Sequence, residues 1–167
     1  DVECGGGLVS EPLARLGADV TAIDAAARNI EVAKLHADKA WLKIDYRNTQ
    51  PEELVQSGET FDIVVNLEVV EHVADLDVFL TTSAAMVRPG GGMVLSTINR
   101  TFKSLALAKV MAEYVLRCLP VGTHEWKKFV KPSELAQGMR QAGMRVTSLK
   151  GMTYDPLGDT WRSEEHT

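Results

Sequence analysis

Apolar and polar positions alternate along this chain with two different periods. Short runs rich in Val, Ile and Leu recur at ADVTAID (18–24), WLKIDY (41–46), FDIVVNLEVV (61–70), GMVLSTI (92–98) and MRVTSLKGM (144–152). Each has the length and β-branched content of a strand. Between them lie stretches with apolar residues at helical spacing: the segment after CGGGL, then ARNIEVAKLHADK, PEELVQSG, DLDVFLTTSAAMV and PSELAQGMRQAG. Pro51 and Pro132 stand near helix starts, Gly58 and Gly143 near helix ends, and RPGG (88–91) reads as a turn. Strands alternating with helices predict parallel pairing and a doubly wound, mostly parallel α/β sheet in a single domain, residues 1–167.

In such sheets ligands bind beyond the carboxyl ends of the strands, near the point where strand order reverses. Three places qualify. The first is ECGGG, between a strand end and a helix, where glycines admit a ligand close to the backbone and the helix start offers free N–H groups. The second is Asp24, which ends the next strand 19 residues after Gly5. An acid at that place commonly accepts hydrogen bonds from ribose hydroxyls. Either feature alone is equally a tight turn or a capping aspartate; together they point to a nucleoside cofactor. A dinucleotide fingerprint wants a third glycine where Ser10 stands, and the compact GGG suits S-adenosylmethionine better.

The third place is NLEVVEHV (66–73), an apolar run interrupted by charge. A helical turn there would put Glu68, Glu71 and His72 at i, i+3 and i+4 on one face. Two carboxylates and an imidazole on one point form a plausible divalent-cation site; oxygen ligands suit Mg²⁺, while the histidine also admits Zn²⁺ or Mn²⁺. His124, in VGTHEW, is a candidate fourth ligand or general base. The competing reading is a solvated first turn with its acids near the helix dipole.

Composition narrows the picture. The 167 residues are 45% hydrophobic and 25% charged, a globular mixture. A net charge of −5 argues against bulk attraction to nucleic acid. Two cysteines, Cys4 and Cys118, give no disulfide framework, and a reducing compartment is the simpler reading. Charge is unevenly spread: residues 99–131 hold seven Lys or Arg against two Glu. Within them Lys109, Glu113 and Arg117 form one polar stripe on an otherwise apolar helical pattern. Such segregation predicts a membrane-facing insertion at about 101–128 meeting anionic lipid, although amphipathic spacing alone equally describes a core helix with a charged outer face.

CGGGL, SEPLARLGA, FDIVV followed by LEVVEHV, RPGG, LSTINRT, GTHEWKKFV and YDPL together resemble the ubiquinone-biosynthesis O-methyltransferases, within the class I S-adenosylmethionine-dependent methyltransferases. The resemblance implies a Rossmann-like fold, here truncated at both ends. It implies methylation of catechol-type hydroxyls on polyprenylated quinol precursors. Carried over, Gly5 and Gly7 would line the methionine part of the cofactor, Asp24 would hold the ribose, and Leu67 would border the cofactor. The E-x-x-E-H pattern is similar to a Mg²⁺ motif of small-RNA 2′-O-methyltransferases, which implies a metal on Glu68, Glu71 and His72. His72 or His124 would take the proton. The implied setting is cytoplasmic and peripheral on the inner face of a bacterial membrane, or the mitochondrial matrix side for an organellar relative. Other ubiquinone-biosynthesis proteins are implied partners.

One departure stands out. Glu3 occupies a position where the family has glycine, so its side chain would crowd the methionine pocket and its charge would face the cofactor's own carboxylate. Two alternatives therefore stay open: a small-molecule methyltransferase with a soluble substrate, and a degenerate, non-catalytic copy. With the first strand represented only by its end, and a last strand expected beyond WRSEEHT, the chain is also expected to be poorly stable alone.

Overall fold

In the computed structural model, residues 1–97, 130–155 and 160–165 are described. The predicted insertion at 101–128, with His124, lies outside them.

Strand β1 (Thr21–Asp24) pairs in parallel with β2 (Asp45–Asn48), Thr21 opposite Asp45 and Asp24 opposite Asn48. Strand β3 (Phe61–Leu67) pairs in parallel with β4 (Val87–Ser96). Residues 1–4 join the two pairs. The Val2 amide donates to the Val65 carbonyl at 2.9 Å, Ile23 donates to Asp1 at 2.9 Å, and Cys4 donates to Ile23 at 3.0 Å. The spatial order is therefore β2, β1, residues 1–4, β3, β4. The chain moves outward one way to β2, then returns to the other side for β3 and β4, so strand order reverses at residues 1–4. This is the doubly wound α/β fold, with its ligand crevice fixed at the carboxyl ends of these strands.

Helices α1 (Ser10–Arg15), α2 (Ala27–Lys39), α3 (Pro51–Gln56), α4 (Leu76–Ala85) and α5 (Pro132–Gln141) fill the connections. Two apolar clusters result. Cys4, Val20, Ala22, Ile30, Ala33, Ala37 and Tyr46 form one, with α2. Val2, Ile23, Val64, Phe79, Leu80 and Met139 belong to the other, with α4 and α5. Ala22 and Ile23 enter different clusters because successive strand residues point to opposite faces. Val2 and Cys4 break that rule, since residues two apart should share a face. Glu3 between them has φ +54°, a left-handed kink that turns the chain out of its pleat.

Most predicted elements are present, with shifted edges. The strand expected at 41–46 begins only at Asp45, because the end of α2 uses up the residues before it. Trp41 adopts φ +56° and the Leu42 amide donates back to the Ala37 carbonyl, a Schellman-type stop without glycine. The expected RPGG turn is a bulge inside β4: Phe61 faces Val87, yet Ile63 already faces Gly92. The last strand is not 144–152 but β5 (Lys150–Asp155), which pairs antiparallel with β6 (Thr160–Glu165).

Asp1 and Val2 also border a groove beside the amino-terminal halves of β1 and β3. A cavity of about 750 Å³ there is lined by Asp1, Val20, Thr21, Phe61, Ile63 and Val64 among others. The Asp1 nitrogen donates to the Thr21 carbonyl at 2.9 Å at one end of it.

Candidate active site at the sheet's carboxyl edge

The glycine loop is built around Asp24. This residue is 2% exposed at the end of β1. Its Oδ2 accepts from the Gly5 amide at 2.9 Å, its Oδ1 accepts from the Ala26 amide at 2.8 Å, and Asn29 Nδ2 donates to both oxygens at 3.1 Å. A buried carboxylate costs several kcal/mol unless it is satisfied, and here all of its roughly four acceptor positions are used. Gly5 and Asp24, which the sequence placed at the same crevice, are joined by a direct hydrogen bond. Gly5 at φ +54° and Gly7 at φ +86° take left-handed conformations that glycine adopts without strain. A β-carbon on Gly7 would also collide with the Tyr46 hydroxyl. Ser10 has a structural task instead: its hydroxyl donates to Asp1 Oδ2 at 2.6 Å, tying α1 to the first residue.

Glu3 is exposed at the mouth of this loop. Partial burial, together with the negative Asp24, raises its carboxyl pKa, against a smaller lowering by His72. Its carboxylate thus lies in the electrostatic reach of groups from β1 and from the segment after β3. Burial, then Asp24, pushes the Cys4 thiol up to about 11, which keeps it protonated and unreactive at neutral pH.

The segment after β3 corrects the metal expectation. No helical turn starts there. Glu68 has φ +57°, and a turn at residues 70–72 follows, between bends at Glu68 and Ala74. Without helical geometry the i, i+3, i+4 argument fails: Glu68 and His72 are exposed while Glu71 is buried. The two carboxylates meet hydroxyls of β4 and the residue after it. Ser96 Oγ donates to Glu68 Oε1 at 2.5 Å, and Thr97 Oγ1 donates to Glu71 Oε1 at 2.6 Å. Among the described residues no three His, Cys, Asp or Glu side chains gather as a metal site. This donor set does not fit a divalent ion held jointly by Glu68, Glu71 and His72. Leu67, half-buried at the end of β3 opposite Ser96, does reach the crevice edge.

Several site residues escaped the sequence reading. Asn29 sits in the first turn of α2, where polar residues are ordinary. Ser96 and Thr97 read only as the end of a strand. Asn66 is fully buried in β3, and neither polar atom of its amide has a hydrogen-bond partner among the described residues. Its one visible signal was an amide inside an otherwise apolar strand.

Residues 1–149 match the family described as a methyltransferase domain. A ubiquinone biosynthesis O-methyltransferase from Brucella anthropi is 53% identical over 167 residues, covering 100% of this chain and 67% of that protein. The chain belongs to the ubiquinone biosynthesis O-methyltransferase family. It spans about two thirds of the length of such relatives; the one from Azorhizobium caulinodans, 56% identical, is covered over 64% of its length. Among solved structures, a magnesium protoporphyrin IX methyltransferase from Synechocystis with bound S-adenosylhomocysteine has a TM-score of 0.69 at 22% identity, covering 92% of this chain and 66% of that one. At that identity the likeness speaks for the fold alone. It agrees with the parallel, doubly wound sheet that O-methyltransferases of this family are expected to share.

Proposed function

We propose that this chain transfers a methyl group from S-adenosylmethionine to a catechol-type hydroxyl of a polyprenylated ubiquinone precursor. Family membership over the full chain carries the reading. The crevice supports it: a glycine loop pinned to a buried acid at the switch point suits a nucleoside-bearing cofactor. In this reading Gly5 and Gly7 give the donor's methionine part access to the backbone, Asp24 receives the ribose, and Leu67 borders the donor.

The chemistry is an in-line displacement. The phenolic oxygen attacks the methyl carbon, the carbon–sulfur bond breaks, and the sulfonium becomes a neutral thioether. Catalysis of this kind rests mainly on positioning. A phenol with a pKa of about 10 is a poor nucleophile at neutral pH. A base must take its proton; in this reading that base is His72, exposed on the segment that follows β3, with His124 as the second candidate. The lipid-tailed substrate gives the basic segment around 101–128 its role, docking on an anionic bilayer from the cytoplasmic side, beside other proteins of the pathway. Glu3 favours a second reading, a copy whose pocket is obstructed.

The test is methyl transfer from labelled S-adenosylmethionine to a short-chain demethylubiquinol, using the chain and its Glu3→Gly variant. Label in the quinol ether supports the reading. Donor binding without transfer to any catechol, in either protein, overturns it. Transfer by Glu3→Gly alone selects the obstructed copy.

A further inference from the structure

We propose that Asn29 competes with the cofactor's ribose for Asp24, so that its side-chain amide must swing aside for the nucleoside to bind. The inference rests on the reading of Asp24 as the ribose acceptor and deepens it.

Three donors hold Asp24, and they differ in freedom. The Gly5 amide belongs to the glycine loop and the Ala26 amide to the backbone just before α2. Neither can leave without moving main chain. Asn29 is the only side chain of the three. One of its nitrogens bridges Oδ1 and Oδ2 at 3.1 Å each, the longest of the four contacts. A ribose diol presents two neighbouring O–H donors and needs one acceptor position on each oxygen. That is the footprint Asn29 covers. With roughly four acceptor positions on a carboxylate and all of them engaged, the two hydroxyls cannot simply be added. They must replace a donor, and a χ rotation of a half-buried side chain is the least costly replacement. The Asn29 backbone stays put, held by its amide on the Ala26 carbonyl at 2.9 Å.

The arrangement has a double effect. Asn29 satisfies a buried charge and so stabilises the fold. For the same reason it lowers nucleoside affinity, because the ribose exchanges one hydrogen-bond donor for others and gains only the difference. Removing the amide leaves Asp24 with its two backbone donors and opens acceptor positions to the ligand.

The experiment titrates S-adenosylhomocysteine calorimetrically into the wild-type chain, Asn29→Ala and Asn29→Ser, and melts each protein without ligand. Asn29→Ala is expected to melt lower yet bind tighter, by roughly tenfold, the share of one hydrogen bond to a charged group. Asn29→Ser, whose hydroxyl cannot span both oxygens, shifts both readings the same way. The gain is expected to appear for adenosine in competition and to vanish for 2′,3′-dideoxyadenosine, which lacks the diol. A lower melting point with unchanged or weaker affinity overturns the proposal, since Asn29 then only holds Asp24 in place. Absence of binding in all three proteins strikes instead at the cofactor reading and removes this inference with it.

Discussion

The Gly5 amide donates to the Asp24 carboxylate at 2.9 Å, so a buried charge on the neighbouring strand helps to fasten the loop that would receive a cofactor. Asp24→Ala leaves the Gly5 and Ala26 amides and the Asn29 side chain without their acceptor. The variant is expected to lose about 2–4 kcal/mol, the range for orphaning donors of charged hydrogen bonds. Urea unfolding measures the loss. A change below about 0.5 kcal/mol, the usual size of a surface substitution, would contradict the fastening role.

Neighbouring glycines should respond differently. Gly7 combines φ +86° with a β-carbon position blocked by Tyr46, so Gly7→Ala is expected to cost about 2 kcal/mol or more. An alanine at Gly6 meets only Val32 Cγ1 at 3.8 Å, an ordinary contact, and is expected to be nearly neutral. Paired urea midpoints test the contrast; equal losses would refute it.

Glu3 has two separable effects. Its left-handed backbone costs about 1–2 kcal/mol in a non-glycine residue, which Glu3→Gly relieves, less glycine's own entropic cost. Its charge acts through pH. Because the folded-state carboxyl pKa is raised above the ordinary 4.5, the folded state holds the proton more tightly. Stability is therefore greatest below 4.5 from this group and is lost as pH rises through the raised value. Glu3→Gln keeps the backbone strain and removes the charge. Its stability profile is expected to be flatter than wild type on the alkaline side of 4.5. Identical profiles would dissociate Glu3 from that dependence.

Cys4 is buried and its thiol pushed up to about 11, so alkylation at pH 8 should be slow in the native chain. Mass spectrometry after iodoacetamide treatment is expected to show Cys4 labelling rise sharply once urea unfolds the protein. Native labelling at the unfolded rate would mean an open loop.

Liposome flotation checks the proposed lipid surface. Binding is expected to anionic vesicles, to weaken with salt, and to fall with charge reversal at Lys109 and Arg117. Equal, negligible flotation with neutral and anionic lipid would remove this proposal. No helix among the described residues is long and apolar enough to cross a membrane.

Periodicity exposed the order of strands and helices because each element must bury one face, and the glycine loop with Asp24 was legible from spacing alone. What stayed hidden was decided by single backbone dihedrals. Glu68 looked like the start of a helix carrying three ligands, but its left-handed φ ends β3 and sends Glu71 inward toward Thr97. Trp41 similarly ends α2 without a glycine to announce it. Propensity has no signal for such residues, since tertiary contacts hold them there. Asn29 was hidden for another reason: its partner is a side chain five residues back, and no apolar pattern marks a hydrogen bond.

The stop of α2 at Trp41 has an optical consequence. The indole is 93% exposed, so its emission should hardly move when the chain unfolds, and a collisional quencher should reach it in the native state.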